Sequence, residues 1–286
     1  MADEDKELPV WSVGDSWLYT FQTPQFGEDS ARLVVAEIDE ENGEYLLGIS
    51  SEREAQRHAV INHNPFLGRL TMNGLSVYEN GEPQSVFYFP WEQDSTWSFT
   101  LFDHVWSAKV TNMYQKEISV SATSEQNHVL EYTFHAGYQF ITQLTWSDEE
   151  AVTQLDMRLN EFKQEYSGDV YFHRARDLLD STYTSTDNEV YDSFFDSGHP
   201  DGSDWDVLVW YIDAEIANGG QGTLGMKDRT GASPLVRAWG SGATEKGAIG
   251  TIPSNTGEYT LTLQLRGDES YLHLRVAGAI SFEWTL

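Results

Sequence analysis

Cysteine is absent from this 286-residue chain, which excludes a disulfide framework, a thiolate nucleophile and any cysteine-based zinc site. Basic residues are scarce: 17 Lys and Arg face 46 Asp and Glu, for a formal net charge of -29. Such a field repels phosphate backbones and anionic membrane surfaces, so no nucleic-acid partner is expected. No run approaches the roughly 18 apolar residues of a membrane-spanning helix, so no transmembrane segment is expected. The motifs G-x-S-x-G and H-E-x-x-H do not occur, and the chain is read as non-enzymatic. The opening MADEDKELPVW lacks the basic start and apolar stretch of a signal peptide. It is read as a mature start from which an export signal or anchor has been removed.

What is present is core-forming material, 40% hydrophobic and 13% aromatic. The acids are spread along the chain and Lys is scarcer than Arg, which fits a salt-adapted surface; an ordinary acidic secreted protein is the alternative. Most segments alternate apolar and polar residues with period two, the signature of half-buried strands. ARLVVAEI, EYLLGIS, SVFYFPW, TWSFTLF, EISVSAT, HVLEYTF, YQFITQLTW and QLDMRLNEF read this way, separated by turn formers such as Asn73-Gly74, Asn80-Gly81 and Ser147-Asp148-Glu149-Glu150. EEAVTQLDMRLNEFKQEY also fits a helical period, but the alternation of Leu155, Met157 and Leu159 with Asp156, Arg158 and Asn160 favours a strand.

From Thr184 onward Gly is frequent and strands are short, from VLVWYIDAEI to ISFEWTL, a pattern of β-sandwiches. The expected architecture is therefore all-β. A curved antiparallel sheet or half-barrel over 1–182 precedes a β-sandwich over 183–286, with a short helix or turn at RARDLLDSTY, 174–183, as the link.

Several motifs invite functional readings. Gly220, Gly222 and Gly225 form G-x-G-x-x-G after an apolar strand, but MKDRTGASP cannot continue as the helix a dinucleotide site needs. Asn218-Gly219-Gly220 is read as a hairpin turn. The loop DSGHPDGSDWD carries Asp196, Asp201, Asp204 and Asp206, carboxylates suited to a structural calcium ion; the alternative is a solvated acidic loop. His58 and His63 do not share a face, and His104 diverges from Asp103 along a strand, so all three are read as structural. Paired carboxylates for glycan hydrolysis cannot be nominated from spacing, although Glu92 and Asp94 lie among tryptophans.

The tryptophans form a quasi-repeat. WSVGDSWLYTF (11–21) and WEQDSTWSFTLF (91–102) each place two tryptophans six apart around an Asp-Ser. The economical account is that one Trp packs across the end of a sheet while the other starts a strand entering the core. The functional alternative is an aromatic-lined groove of Phe87, Phe89, Trp91, Trp97 and Trp106.

Trp11-x-x-Gly14-Asp15-x-Trp17-x-Tyr19 and FYFPWEQDSTW resemble β-rich domains of secreted or lipid-anchored archaeal proteins of unknown function. That resemblance implies a curved half-barrel of the kind used by Lol-type lipoprotein carriers, whose concave face holds an apolar ligand. GGQGTLGMKDRTGASPLVRA and GEYTLTLQLRGDESYLHLRVAG are similar to accessory sandwiches of the pre-peptidase C-terminal or Golgi-dynamics type, which implies an extracytoplasmic, non-catalytic module. The leading expectation is an extracellular or cell-surface binding protein, taking an apolar or glycan ligand or a protein partner on the aromatic sheet. A carboxylate-dependent glycan hydrolase and a structural coat component are the alternatives.

Overall fold

The computed structural model describes residues 6–62, 64–198, 204–255 and 257–286. These fall into two compact units, 6–52 with 64–172 and 283–286, and 53–62 with 173–282. Both are antiparallel β structures.

The first unit contains β1 (Ser16–Thr23), β2 (Gly27–Asp39), β3 (Glu44–Ile49), β4 (Gly68–Thr71), β5 (Val77–Glu79), β6 (Glu82–Gln84), β7 (Thr96–Leu101), β8 (His104–Tyr114), β9 (Glu117–Ser124), β10 (Val129–His135), β11 (Phe140–Ser147) and β12 (Thr153–Lys163). They pair in the order β3-β2-β1-β12-β11-β10-β9-β8-β7, with β4, β5 and β6 laddered off β3. The ladder slips at Leu18/Tyr19, Val35/Glu37, Val110/Asn112, Thr133/Phe134 and Trp146/Ser147. Each slip adds local twist, and together they curve the sheet. The period-two pattern decides the faces. On β10, Leu130, Tyr132 and Phe134 are buried while Glu131 is exposed and Thr133 and His135 are half-buried on the other side.

The inner face is filled by the chain itself. Residues 64–91 lay Phe66, Leu70, Val77, Val86, Phe87 and Trp91 into the interior. Phe87 sits 5.5 Å from Phe134 and 5.9 Å from both Tyr132 and Phe140, ring centroid to centroid. The Tyr132 hydroxyl donates to the Val86 carbonyl. Where the carrier resemblance implies an apolar ligand, this protein has its own aromatic side chains. Residues 85–91, expected as a strand, are irregular and include the cis peptide Phe89–Pro90.

The second unit is a sandwich. One layer runs β18 (Thr244–Pro253), β15 (Val207–Glu215), β20 (Tyr271–Thr285) and β13 (Asp169–Thr184); the other runs β14 (Asn188–Asp196), β19 (Glu258–Arg266), β16 (Gln221–Lys227) and β17 (Leu235–Trp239). Leu208, Ile212, Leu272 and Leu274 of the first layer meet Leu224, Met226, Leu261 and Leu263 of the second. GQGTLG leads into β16, with Gly220 just before the strand, and packing explains two of its glycines. A Cβ on Gly220 would stand 2.3 Å from the Arg266 carbonyl oxygen, and one on Gly222 would stand 2.8 Å from Ile216 Cδ1.

Two expectations about organisation change. Residues 174–183 are strand, part of β13, not a helix or turn. With β20 alongside, strand pairing satisfies this backbone, whereas an isolated helix of that length is marginal. The compact units accordingly divide at 172/173 instead of near 182. The second unit also takes in helix α1 (Glu52–Arg57) and the π-helical turn His58–Asn62. Arg275 ties this insert down: Nη1 donates to the Ile61 carbonyl at 3.4 Å, while Nε and Nη2 pair with Asp180 at 3.2 Å and Asp177 at 3.4 Å.

Many hairpin turns are stapled by Asp. Asp148 Oδ1 accepts the amides of Val152 (2.9 Å) and Glu150 (3.0 Å), and Oδ2 accepts from Gln154 Nε2 (2.6 Å). These bonds, the Val152 amide foremost, hold its carboxyl below the usual carboxylate range. A depressed folded-state pKa stabilises above the unfolded value of about 3.9 and is lost as pH falls through the folded one. Asp148→Ala is expected to lower the thermal midpoint of the first unit at neutral pH. The difference from wild type should shrink in acid, as followed by circular dichroism across a pH series.

Candidate functional site

The five aromatic residues proposed from the sequence separate into two groups. Phe87, Trp91 and Trp106 are 2%, 0% and 0% exposed and offer no surface to a ligand. Phe89 and Trp97 are half-buried, and Trp97 stacks beneath exposed Tyr88 at 5.7 Å and 18°. Asp94, in the turn of this repeat, pairs with Lys109 at 2.8 Å, and that lysine keeps its carboxyl below the usual range. It is therefore an ionised turn residue, unsuited to serve as a general acid beside Glu92.

The first repeat does something the sequence did not announce. Gly14 turns the chain at φ +91° and Asp15 Oδ2 accepts the Ser12 amide at 2.8 Å, so that Trp17, Tyr19 and Phe21 enter the core on one strand face. Both indoles then point their N–H groups at one turn. Trp17 Nε1 donates to the Tyr138 carbonyl at 2.7 Å and Trp11 Nε1 to the Gln139 carbonyl at 3.1 Å. The rings themselves sit 4.9 Å apart, so the β10–β11 turn hangs from a packed pair.

That turn presents an aromatic wall. Tyr138 is 43% exposed and lies on the His135 ring at 4.1 Å and 22°. His135 Nδ1 accepts the amides of Gly137 and Tyr138, each at 3.1 Å, which leaves its ring proton on Nε2. Phe162 continues the wall, 6.1 Å from Tyr138 and stacked on Trp17 at 5.7 Å.

These rings border a groove of about 460 Å³ beside the β10–β11 turn, whose remaining lining is Glu117, Thr142, Leu159, Asn160 and Glu161. Glu161 pairs with Arg32 and, at 2.9 Å, with Lys163. Those two cations, Arg32 first, hold its carboxyl below the usual range. The groove thus combines flat apolar rings with fixed acceptors, an amide and a hydroxyl, the mixture typical of a small-molecule site. Sequence reasoning missed it because YQFITQLTW reads as core strand, and only the Ala136-Gly137 break before Tyr138 signals an exposed turn.

Other sequence candidates are scattered. His58 is buried at 4% exposure on the helical insert, and His63 lies outside the described residues. His104 Nδ1 bonds Gln126 Oε1 at 3.1 Å and its ring lies 4.1 Å from His128, whose Nδ1 accepts from the Trp146 indole at 3.2 Å. This cluster seals the rim of the core. Of the proposed calcium set, Asp196 Oδ1 accepts the Gly198 amide at 2.7 Å and Asp206 Oδ2 accepts the Ser281 amide at 2.8 Å. Asp204 is exposed, and Asp201 lies outside the described residues. Among the described residues no three His, Asp or Glu side chains are grouped to hold a metal ion. In the second unit, His273 Nε2 is 2.6 Å from Asp180 Oδ1. Burial, aided by Asp213, pushes the adjacent Tyr211 phenol up to about 12, so it stays neutral.

No protein-family model and no curated protein matches the chain. Among solved structures it is similar to a glycoside hydrolase family 43 arabinoxylan arabinofuranohydrolase from Bacillus subtilis. That match has 7% identity and a TM-score of 0.19, over 88% of this chain and 64% of the hydrolase. Carbohydrate-binding modules of the β-sandwich superfamily match at 10% identity and a TM-score of 0.17, over 66% of this chain and 92% of theirs. An exo-β-1,3-galactanase from Phanerochaete chrysosporium matches at 8% and 0.19, over 86% and 65%. The chain thus spans just under two thirds of the length of either hydrolase. Likeness at these scores is one of all-β content alone.

The division of the aromatics has a measurable consequence. Trp91→Ala is expected to cost the first unit about 3–5 kcal/mol, as large buried aromatics do. Tyr88→Ala, on the surface, should stay within about 0.5 kcal/mol of wild type in denaturant titrations.

Proposed function

We propose that the protein is a non-enzymatic glycan-binding protein and that the groove beside Tyr138 is its binding site. The observation that carries this reading is the Tyr138–His135–Phe162 wall set against Thr142, Asn160 and Glu161 in one groove. A pyranose ring has an apolar C–H face that suits the negatively charged face of an aromatic ring, and equatorial hydroxyls that need acceptors and donors at the rim. A net charge of -29 disfavours polyanionic glycans, so the ligand is a neutral one. The same charge agrees with an extracytoplasmic, salt-rich setting.

A hydrolase is the other reading, because Glu131 and Asp156 flank Thr145 on neighbouring strands. Two inter-strand spacings put their backbones about 10 Å apart. Against it, Glu131 is exposed, and Asp156, although its side chain is mostly buried, is held in an ion pair by Arg158 at 2.6 Å, so neither is a free, enclosed carboxyl of the kind that serves as a general acid.

The test is affinity electrophoresis and calorimetry against a panel of neutral glucans, mannans, xylans and galactans. Binding to at least one is expected, with no release of reducing ends. Tyr138→Ala should weaken it about tenfold, the equivalent of roughly 1.4 kcal/mol, with an unchanged thermal midpoint. Absence of binding across the panel would overturn the reading, and release of reducing ends would favour the hydrolase.

A further inference from the structure

The Tyr138 groove lies on strands that also carry a broad polar face. Strand register aligns Ser119, Thr133, Gln143, Arg158, Thr20 and Ser30 in one row across β9, β10, β11, β12, β1 and β2. A parallel row runs Lys109, Ser121, Glu131, Thr145, Asp156 and Gln22 across β8, β9, β10, β11, β12 and β1. Side chains of one row lie on one face of the sheet, because the pleat fixes their direction.

Two further depressions, of about 360 and 240 Å³, open along these rows and share Thr145. The smaller also takes in Gln143 and Thr133, on the strands that carry the groove residues Thr142 and His135. The two hollows thus meet at Thr145 and cross β8 to β1, while the Tyr138 groove draws on the same strands β9 to β12. Five inter-strand spacings of about 4.8 Å give a run of about 24 Å.

The chemistry of this face departs from that of the chain. Hydroxyls and amides dominate the two rows, and the two cations in them are matched, Lys109 by Asp94 at 2.8 Å and Arg158 by Asp156 at 2.6 Å. In a protein with 46 acids and 17 bases this is a near-neutral strip of fixed donors and acceptors. Phosphate or sulfate groups would find no free cation in these two rows, and an apolar ligand would find few apolar atoms. A chain of neutral, hydroxyl-bearing rings would find a partner at each strand crossing.

We propose that the outer face of this sheet is a track for an extended neutral polysaccharide, lying across the strands, with the Tyr138 groove holding one part of it. This rests on the glycan reading of the groove and adds the ligand's form: a chain interior, not a short oligosaccharide or a chain end alone. The track contributes hydrogen bonds, and the groove contributes ring stacking.

The experiment is calorimetry on the full chain with linear neutral oligosaccharides of the panel glycan that binds, from dimer to octamer, and with the polymer. It is repeated with Gln143→Ala and with Ser121→Ala, exposed or half-buried positions outside the groove whose folding is checked by thermal midpoint. Affinity should rise at least tenfold between the shortest ligand that binds and the octamer. Each variant should lose about threefold or more for the octamer while leaving the shortest ligand unchanged. A plateau reached at the shortest ligand, with neither variant altering octamer affinity, overturns the track and leaves the groove reading standing. No binding of any length to wild type overturns both.

Discussion

Everything proposed for this protein depends on two indole N–H groups. Trp17 and Trp11 donate to the consecutive carbonyls of Tyr138 and Gln139, and because both rings are fully buried those donors have no water to fall back on. A buried donor left without a partner costs about 1–3 kcal/mol. The pair therefore fixes the β10–β11 turn from beneath, and the turn in its place sets Tyr138 and His135 on the surface. The core and the candidate site are in this sense one construction: tryptophans that hold the sheet end together also decide where the exposed tyrosine stands.

The second tryptophan repeat clarifies the first. Trp91 occupies the place of Trp11 and Trp97 that of Trp17, yet Trp91 packs into the interior against Phe87, Phe89 and Phe134 without meeting a turn that presents anything. Similar short sequences thus serve packing in both places, and the difference between them comes from what each indole pair meets. Residues 64–91 lay Phe66, Phe87 and Trp91 into the interior on one side of the sheet, so the proposed track uses the other side.

Period two carried most of the fold. Strands β2, β3, β7 and β9 to β12 match segments that alternate in the sequence, including β12, where Leu155, Met157 and Leu159 against Asp156 and Arg158 outweighed a helical period. Strands β15 to β20 match its short C-terminal strand segments. The failures have a common cause in tertiary pairing. Residues 174–183 look like a linker until β20 is beside them, and 53–62 look like part of the first domain until Arg275 draws Ile61 to the second unit. The aromatic candidates read from the sequence divide by burial. Phe87, Trp91 and Trp106 stand out by size, which is what buries them. Tyr138 is inconspicuous in HAGYQF, and the polar rows across the sheet are invisible until register places Gln143 beside Thr133 and Arg158.

The most direct test of the account is a backbone amide NMR titration of the full chain with a neutral linear oligosaccharide, observing which resonances move. The account predicts shifts concentrated at 135–145 and 156–162, with residues 85–106 unchanged. Shifts confined to 85–106, or to the second unit, would contradict it.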